Sequence, residues 1–313
     1  MKVRLGKHVD LYILSGFLGS GKTTLLQRIL MEERQRQRKV AVLMNELGEI
    51  SVDSTILPDG VPLKELLNGC ICCTIQDQLT QQLVSLCQQH EPDVIYIEAT
   101  GVAHPLEVLE ACLTPLMIPY LRTCKTISTV DLLRWRDRGQ HTIPVQRLME
   151  DQIRYADWVV VNKIDQLPDK EFDWVEQQMK QQNEHAEFVF TNYAQFDLAL
   201  LFDQPAQSAS FQREQMEKRA HVHQHLHVRS FAYTWEQPIH RQAFEDWLRN
   251  SPDQLYRAKG YLRFQDEPQK TYLFQYSYGM PIFTEEYFRY PLTVVFIGEQ
   301  LDEQVLKREL ASL

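Results

Sequence analysis

Short apolar runs alternate with stretches of helical period over the first two thirds of the chain. Residues 11–14 are apolar and end in a glycine-rich turn at 16–21. Leu25, Leu26, Ile29 and Leu30 then recur at the spacing of one helix face, which predicts a helix over 23–31. Further apolar runs at 40–44, 94–97, 126–130, 158–161 and 187–190 read as strands, buried where they are apolar throughout. Helical stripes lie between them at 77–89, 105–113, 145–155 and 172–182. Strands that alternate with helices predict an α/β fold with a mostly parallel sheet.

The texture changes near Pro205. Residues 206–220 hold few apolar positions and read as a linker with some helical tendency. Beyond it, 226–234, 255–264, 271–278 and 292–297 are extended, and 238–250 and 302–310 are helical. That order predicts a small α+β domain over 221–313, with helices on one face of its sheet, after a first domain over 1–205.

Composition adds exclusions. The 313 residues are 44% hydrophobic and 24% charged, as in ordinary globular proteins. Lys plus Arg is 33 and Asp plus Glu is 42, so the net charge is 33 − 42 = −9, which disfavours nucleic-acid partners. No apolar run is long enough for a bilayer, and the first ten residues lack the apolar core of a secretory signal. The expectation is a cytoplasmic protein with no membrane partner and with reduced thiols, whose six cysteines call for a reason other than disulfides.

The turn after the first strand, Gly16-Phe17-Leu18-Gly19-Ser20-Gly21-Lys22-Thr23, matches the phosphate loop G-x-x-x-x-G-K-[ST] and is flanked by strand and helix as its mechanism requires. Backbone amides of Gly16, Gly19, Ser20, Gly21 and the helix start, with Thr24 beside them, would cradle phosphates. Lys22 would reach the β- and γ-phosphates, and the Thr23 hydroxyl would ligate Mg²⁺. The strand at 158–161 runs into Asn162-Lys163-Ile164-Asp165. A carboxylate at Asp165 can accept from guanine N1–H and the exocyclic amine, an edge that adenine lacks. Asn162 would brace neighbouring loops, and the Lys163 stem would cover the base. Thr191, after the last strand of this domain, is expected to add a backbone contact to the base. The strand at 94–97 ends in Glu98-Ala99-Thr100-Gly101. Glu98 stands where an acid holds Mg²⁺ through water or orients the attacking water, and a Gly101 amide could reach the γ-phosphate.

Cys70, Cys72 and Cys73 crowd into four positions after Asn68 and Gly69. Thiolates suit Zn²⁺, Cu⁺ and iron–sulfur chemistry. On a flat strand Cys72 and Cys73 would face opposite ways, so convergence of all three needs a turn, which Gly69 permits. Three thiolates leave a tetrahedral site one ligand short, and the segment Asn45-Glu46-Leu47-Gly48-Glu49 is a candidate source. Cys87, Cys112 and Cys124 lie in apolar stretches and read as core. His221, His223, His225 and His227 alternate with other residues, so an extended chain would project all four from one face. They read as a collection or hand-off site for metal, or as a solvated linker and strand start. Isolated histidines, His104 among them, read as surface or helix-end residues.

The phosphate loop, the N-E-L-G-E segment, the C-I-C-C cluster, E-A-T-G and N-K-I-D, in that order, resemble the CobW-type GTPases, relatives of HypB and UreG. Arg257-Ala258-Lys259-Gly260 and Phe296-Ile297-Gly298 resemble the CobW C-terminal domain, so the likeness covers nearly the whole chain. It implies hydrolysis of GTP coupled to binding of a transition metal, zinc or cobalt, and its delivery to a metal-requiring client protein. It implies Cys72 and Glu49 as metal ligands with Cys70 and Cys73 near, and a switch over 45–53 that senses the γ-phosphate. Glu98, Glu49 or Asp53 would orient the attacking water. Two departures stand out: Met44 where some relatives place a further carboxylate, and Leu47 for a common Phe. A metal sensor or store that uses GTP as a conformational ligand, and a regulatory GTPase with inert cysteines, are the alternatives. A homo-oligomer is left open.

Overall fold

The computed structural model describes residues 8–44, 63–65, 72–202, 228–252, 254–299 and 301–313. Two units are distinguished, Met1–Leu109 with Tyr120–Met216, and Glu110–Pro119 with Glu217–Leu313.

In the first unit the chain runs β1 (Val9–Ser15), α1 (Lys22–Gln35), β2 (Val40–Met44), β3 (Leu63–Glu65), α2 (Cys72–His90), β4 (Val94–Glu98), α3 (Pro105–Cys112), β5 (Leu121–Asp131), α4 (Leu132–Arg136), α5 (Ile143–Arg154), β6 (Trp158–Asn162), α6 (Asp169–Gln182), β7 (Glu187–Phe190) and α7 (Ala199–Phe202). Helix α3 straddles the division between the units. The seven strands form one sheet in the order β3-β2-β4-β1-β5-β6-β7, and every pairing is parallel.

A parallel sheet covered on both faces needs strands that are apolar throughout. All residues of β1, β2, β4 and β6 are buried accordingly. One face packs Tyr12, Leu14, Val42, Tyr96 and Val160 under Leu25, Leu26 and Ile29 of α1. The other packs Val130, Val159 and Val161 against Met149 and Ile153 of α5 and Val175 and Met179 of α6. Cys87, Cys112 and Cys124 are buried, which agrees with the core reading of those three residues. Because the strands are parallel, the loops after β1, β4, β5 and β6 all leave at one edge of the sheet, where ligands bind in such folds.

The second unit continues with β8 (Val228–Trp235), α8 (Arg241–Arg249), β9 (Leu255–Leu262), β10 (Thr271–Ser277), β11 (Met280–Glu286), β12 (Leu292–Glu299) and α9 (Glu303–Ala311). Its sheet is antiparallel, in the order β11-β10-β9-β12-β8. Phe231, Phe274 and Phe296 of the sheet pack with Phe244 and Leu248 of α8 and Leu306 and Leu310 of α9. The Trp235 indole N–H donates to Leu310 O at 2.9 Å, tying α9 to the sheet. Strand β11 is an addition to the sequence expectation. It returns from β10 through Tyr278 and Gly279, with φ 44° and 88°, a turn of the type that favours positive φ at both central positions. Its outer side is exposed and it contains Pro281, so it carries none of the apolar signal of a buried strand.

Candidate functional site

The phosphate loop joins the centre of the parallel sheet to the start of α1. Lys22 opens that helix and is buried, with Nζ donating to Gly16 O at 2.8 Å and lying 3.4 Å from Phe17 O. Burial lowers the Lys22 pKa from its ordinary value, and the Glu98 carboxylate opposes that shift. Ser20 Oγ donates to Phe17 O at 2.7 Å and sits 2.6 Å from Thr129 Oγ1, so β5 supports the loop from the neighbouring strand.

Glu98 ends β4 beside the phosphate loop, in register with Leu14 of β1 and Met44 of β2. Thr23 Oγ1 donates to Glu98 Oε1 at 2.7 Å. Two hard oxygen donors therefore meet at the first turn of α1, a set that fits Mg²⁺. Beyond Glu98 the backbone folds against the phosphate loop: a β-carbon at Gly101 would lie 2.6 Å from Leu18 N, so only glycine permits the approach. The segment is anchored twice to α5. Gln152 Nε2 donates to Gly101 O at 3.2 Å, and His104 Nε2 lies 3.2 Å from Asp151 Oδ2. His104 Nδ1 also accepts from Leu106 N at 3.3 Å, which makes it a helix-end residue.

Asn162 ends β6 and is buried. Its Nδ2 donates to Ser20 O at 3.0 Å, while Oδ1 accepts from Lys163 N at 3.0 Å and Ala194 N at 3.1 Å. One amide thus braces the phosphate loop, its own turn and the segment after β7. Lys163 adopts the left-handed conformation at φ 62°, and its Nζ donates to Asp131 Oδ2 at 2.6 Å. Asp165 N donates to Asn192 Oδ1 at 3.1 Å, and Thr191 N donates to Val161 O at 2.8 Å. The Asp165 side chain is solvent-exposed at this edge.

The phosphate-loop residues with Thr24 in the first turn of α1, Glu98, Gly101, Asn162, Lys163, Asp165 and Thr191 therefore share the carboxyl edge of one sheet. Asp131 escaped the sequence reading, although an acid directly after an apolar strand is the same signal that marked Glu98. Gln152 and Arg134 lie within helices and had no sequence signal. Helix α2 begins at Cys72, so Cys72 and Cys73 open a helix rather than lying on a strand. Glu49, Asp53, Cys70, His221, His223, His225 and His227 lie outside the described residues.

A phosphate loop at the head of a parallel sheet, braced by an N-K-x-D turn two strands away, defines a P-loop nucleotide-binding protein. The model of the CobW/HypB/UreG nucleotide-binding domain matches residues 10–190, and that of the cobalamin synthesis protein CobW C-terminal domain matches residues 228–313. The chain is 29% identical over 322 residues to the zinc chaperone YjiA of Escherichia coli, covering 96% of this chain and 97% of that one. It is 30% identical over 252 residues to the zinc chaperone YeiR of the same organism, covering 80% and 73%. The crystal structure of Zn(II)-bound YjiA GTPase from E. coli superposes with a TM-score of 0.51 at 25% identity, covering 98% of this chain and 99% of that one. The chain belongs to the CobW/HypB/UreG family and carries the CobW C-terminal domain. Among the described residues no helix is long and apolar enough to cross a membrane.

Proposed function

We propose that this chain hydrolyses GTP and couples its nucleotide state to the binding of a transition metal, zinc first and cobalt second, which it hands to a metal-requiring client protein. The observation that carries the reading is the Thr23–Glu98 hydrogen bond at the head of a phosphate loop that Asn162 ties to the N-K-I-D turn. The names of the relatives YjiA and YeiR support the zinc half of the reading.

In this reading Asp165 accepts the two donors of the guanine edge. Asn162 keeps that turn at a set distance from the phosphate loop, so base and phosphates are held together. Lys22 leaves its loop carbonyls for the β- and γ-phosphates, where its charge offsets the negative charge that develops during phosphoryl transfer. Thr23 and Glu98 would hold Mg²⁺, which when bound neutralises phosphate charge. Gly101, kept against Leu18, presents its N–H toward the γ-phosphate end of the loop. Glu98, or an acid of the 45–53 segment, orients water. The metal cargo would bind through Cys70, Cys72 and Cys73, with Glu49 as the further ligand, and the histidines at 221, 223, 225 and 227 would collect it.

Calorimetry with GTP and ATP tests the nucleotide half. The wild type should prefer GTP by orders of magnitude, and Asp165→Asn should erode that preference, since an amide presents one acceptor where the carboxylate presented two. Equal affinities for GTP and ATP in the wild type would overturn the guanine reading.

A further inference from the structure

Arg134 is an arginine that none of the nucleotide-site assignments uses, and it stands against the phosphate loop. It lies on the short helix α4, immediately after β5. Its Nη1 donates to Leu18 O at 2.7 Å. A β-carbon at Gly19 would stand 3.7 Å from its Nη2. The guanidinium therefore spans the two loop residues that face the γ-phosphate end.

That this is the γ-phosphate end follows from two neighbours. The Lys22 ammonium, which serves the β- and γ-phosphates, sits on Gly16 O and Phe17 O, directly before Leu18. From the other side Gly101, the third residue after the Mg²⁺-side acid Glu98, is packed on Leu18 N. Leu18 is the meeting point of the two.

The charge on Arg134 is only weakly compensated. Among the described residues its nearest carboxylate, Asp131, is 3.8 Å away, and Asp131 Oδ2 already accepts from Lys163 Nζ at 2.6 Å while Oδ1 accepts the Arg134 backbone N–H at 3.1 Å. The hydrogen bond its side chain makes to the loop is to a neutral carbonyl. Close to half of the side chain is exposed, at 47%, so it has room to turn. Arg134 shares its nearest carboxylate with Lys163 and has none to itself among the described residues. A guanidinium kept on a carbonyl beside the phosphates, with its charge to spare, suits a group that gains its partner during the reaction.

We propose that Arg134 is an arginine supplied in cis for GTP hydrolysis. It leaves Leu18 O to contact the γ-phosphoryl oxygens as charge builds on them. In that step the water oxygen bonds the γ-phosphorus. The bond from phosphorus to the β–γ bridging oxygen breaks, with its electron pair staying on GDP. The water proton leaves with inorganic phosphate or to solvent. Arg134 takes part in no bond change; it stabilises the oxygens that carry the charge. Asp131 then has a double task, since it caps α4 and holds Lys163 of the base turn, which fixes the arginine relative to the bound base. The proposal rests on the GTPase reading above.

The experiment compares the full chain with Arg134→Ala and Arg134→Lys, measuring single-turnover hydrolysis of GTP and the affinities for GTP, GDP and GDP with aluminium fluoride. Arg134→Ala should lower the hydrolysis rate by about 1,000-fold or more, the lower end of the range for an arginine finger. GTP and GDP affinities should stay within about threefold, and the tightening caused by aluminium fluoride should be lost. Arg134→Lys should recover some of the rate, because it restores charge without the fork. An unchanged rate in Arg134→Ala would overturn the proposal. So would a parallel loss of rate and of GDP affinity, which would make Arg134 a brace of the loop. A wild type that binds but does not hydrolyse GTP would instead bring down the GTPase reading, before any variant is compared.

Discussion

Asn162 satisfies three backbone groups with one buried side chain: Ser20 O, Lys163 N and Ala194 N. Asn162→Ala leaves all three without that partner in a buried place. The expected cost is about 2–4 kcal/mol of unfolding free energy, read from urea denaturation, with weaker GTP binding in the folded protein. Asn162→Asp should be nearly as harmful, because a carboxylate cannot donate to Ser20 O. A second residue-scale effect concerns Asp157, immediately before β6. Its carboxylate accepts from Thr126 N at 2.6 Å, and burial pushes its pKa up to about 7. The folded state therefore binds this proton more tightly than the unfolded chain. The stability it contributes is complete below the ordinary aspartate value and is lost as pH rises through about 7. Asp157→Asn keeps an acceptor for Thr126 and cannot ionise. The melting temperature of the wild type should fall relative to this variant between about pH 4 and pH 7; parallel curves across that window would contradict the assignment.

At the scale of elements, β9 and β12 approach closely at Gly260. A β-carbon at Gly260 would lie 2.0 Å from Thr293 O and 2.5 Å from Val294 Cα, both of them backbone atoms. The side chain has no direction in which to yield, so Gly260→Ala must push these neighbouring strands of the antiparallel sheet away from each other. Thermal unfolding should show a loss of about 3 kcal/mol or more. Loss of the same size on replacing an exposed residue of β11, such as Ile282→Thr, is not expected, because that strand lies at the sheet edge and its outer side is exposed. The contrast explains why the sequence signalled β9 and β12 and not β11. Buried strands declare themselves by apolar runs; an exposed edge strand forms because a turn delivers it to a waiting row of hydrogen-bond partners.

For the whole molecule the question is whether nucleotide and metal communicate. Residues 45–53 follow β2, whose end at Met44 pairs with Glu98, and α2 begins with Cys72. If GTP biases one arrangement of the segment between them, metal affinity must differ between nucleotide states, and the metal must change GTP affinity by the same factor. A coupling of about 1–3 kcal/mol is expected. Competition with a chromogenic chelator under reducing conditions reads it, with GTP and with GDP. Cys72→Ser should abolish the tight site, while changing His221, His223, His225 and His227 to Ala should affect only weak binding. A tight site that survives without Cys72 and vanishes without the histidines would reverse the assignment of ligands. Affinity that ignores the nucleotide would leave the protein a metal binder without a switch.

The chain by itself determined those features whose cause is local. An apolar run long enough for a buried strand, leucines at helical spacing and glycines in a phosphate loop act within a few residues, and so β1, α1 and the loop between them were legible, as were β4 with Glu98 and β6 with Asn162. The order of these motifs carried the family as well. What lay beyond reach were the pairings of residues far apart in sequence: Thr129 under Ser20, Asp131 on Lys163, Gln152 on Gly101 and Arg134 on Leu18. None of these side chains has a pattern of its own. Each acquires its role because parallel strands bring their carboxyl ends to one edge, and only the folded sheet determines which strands are neighbours there.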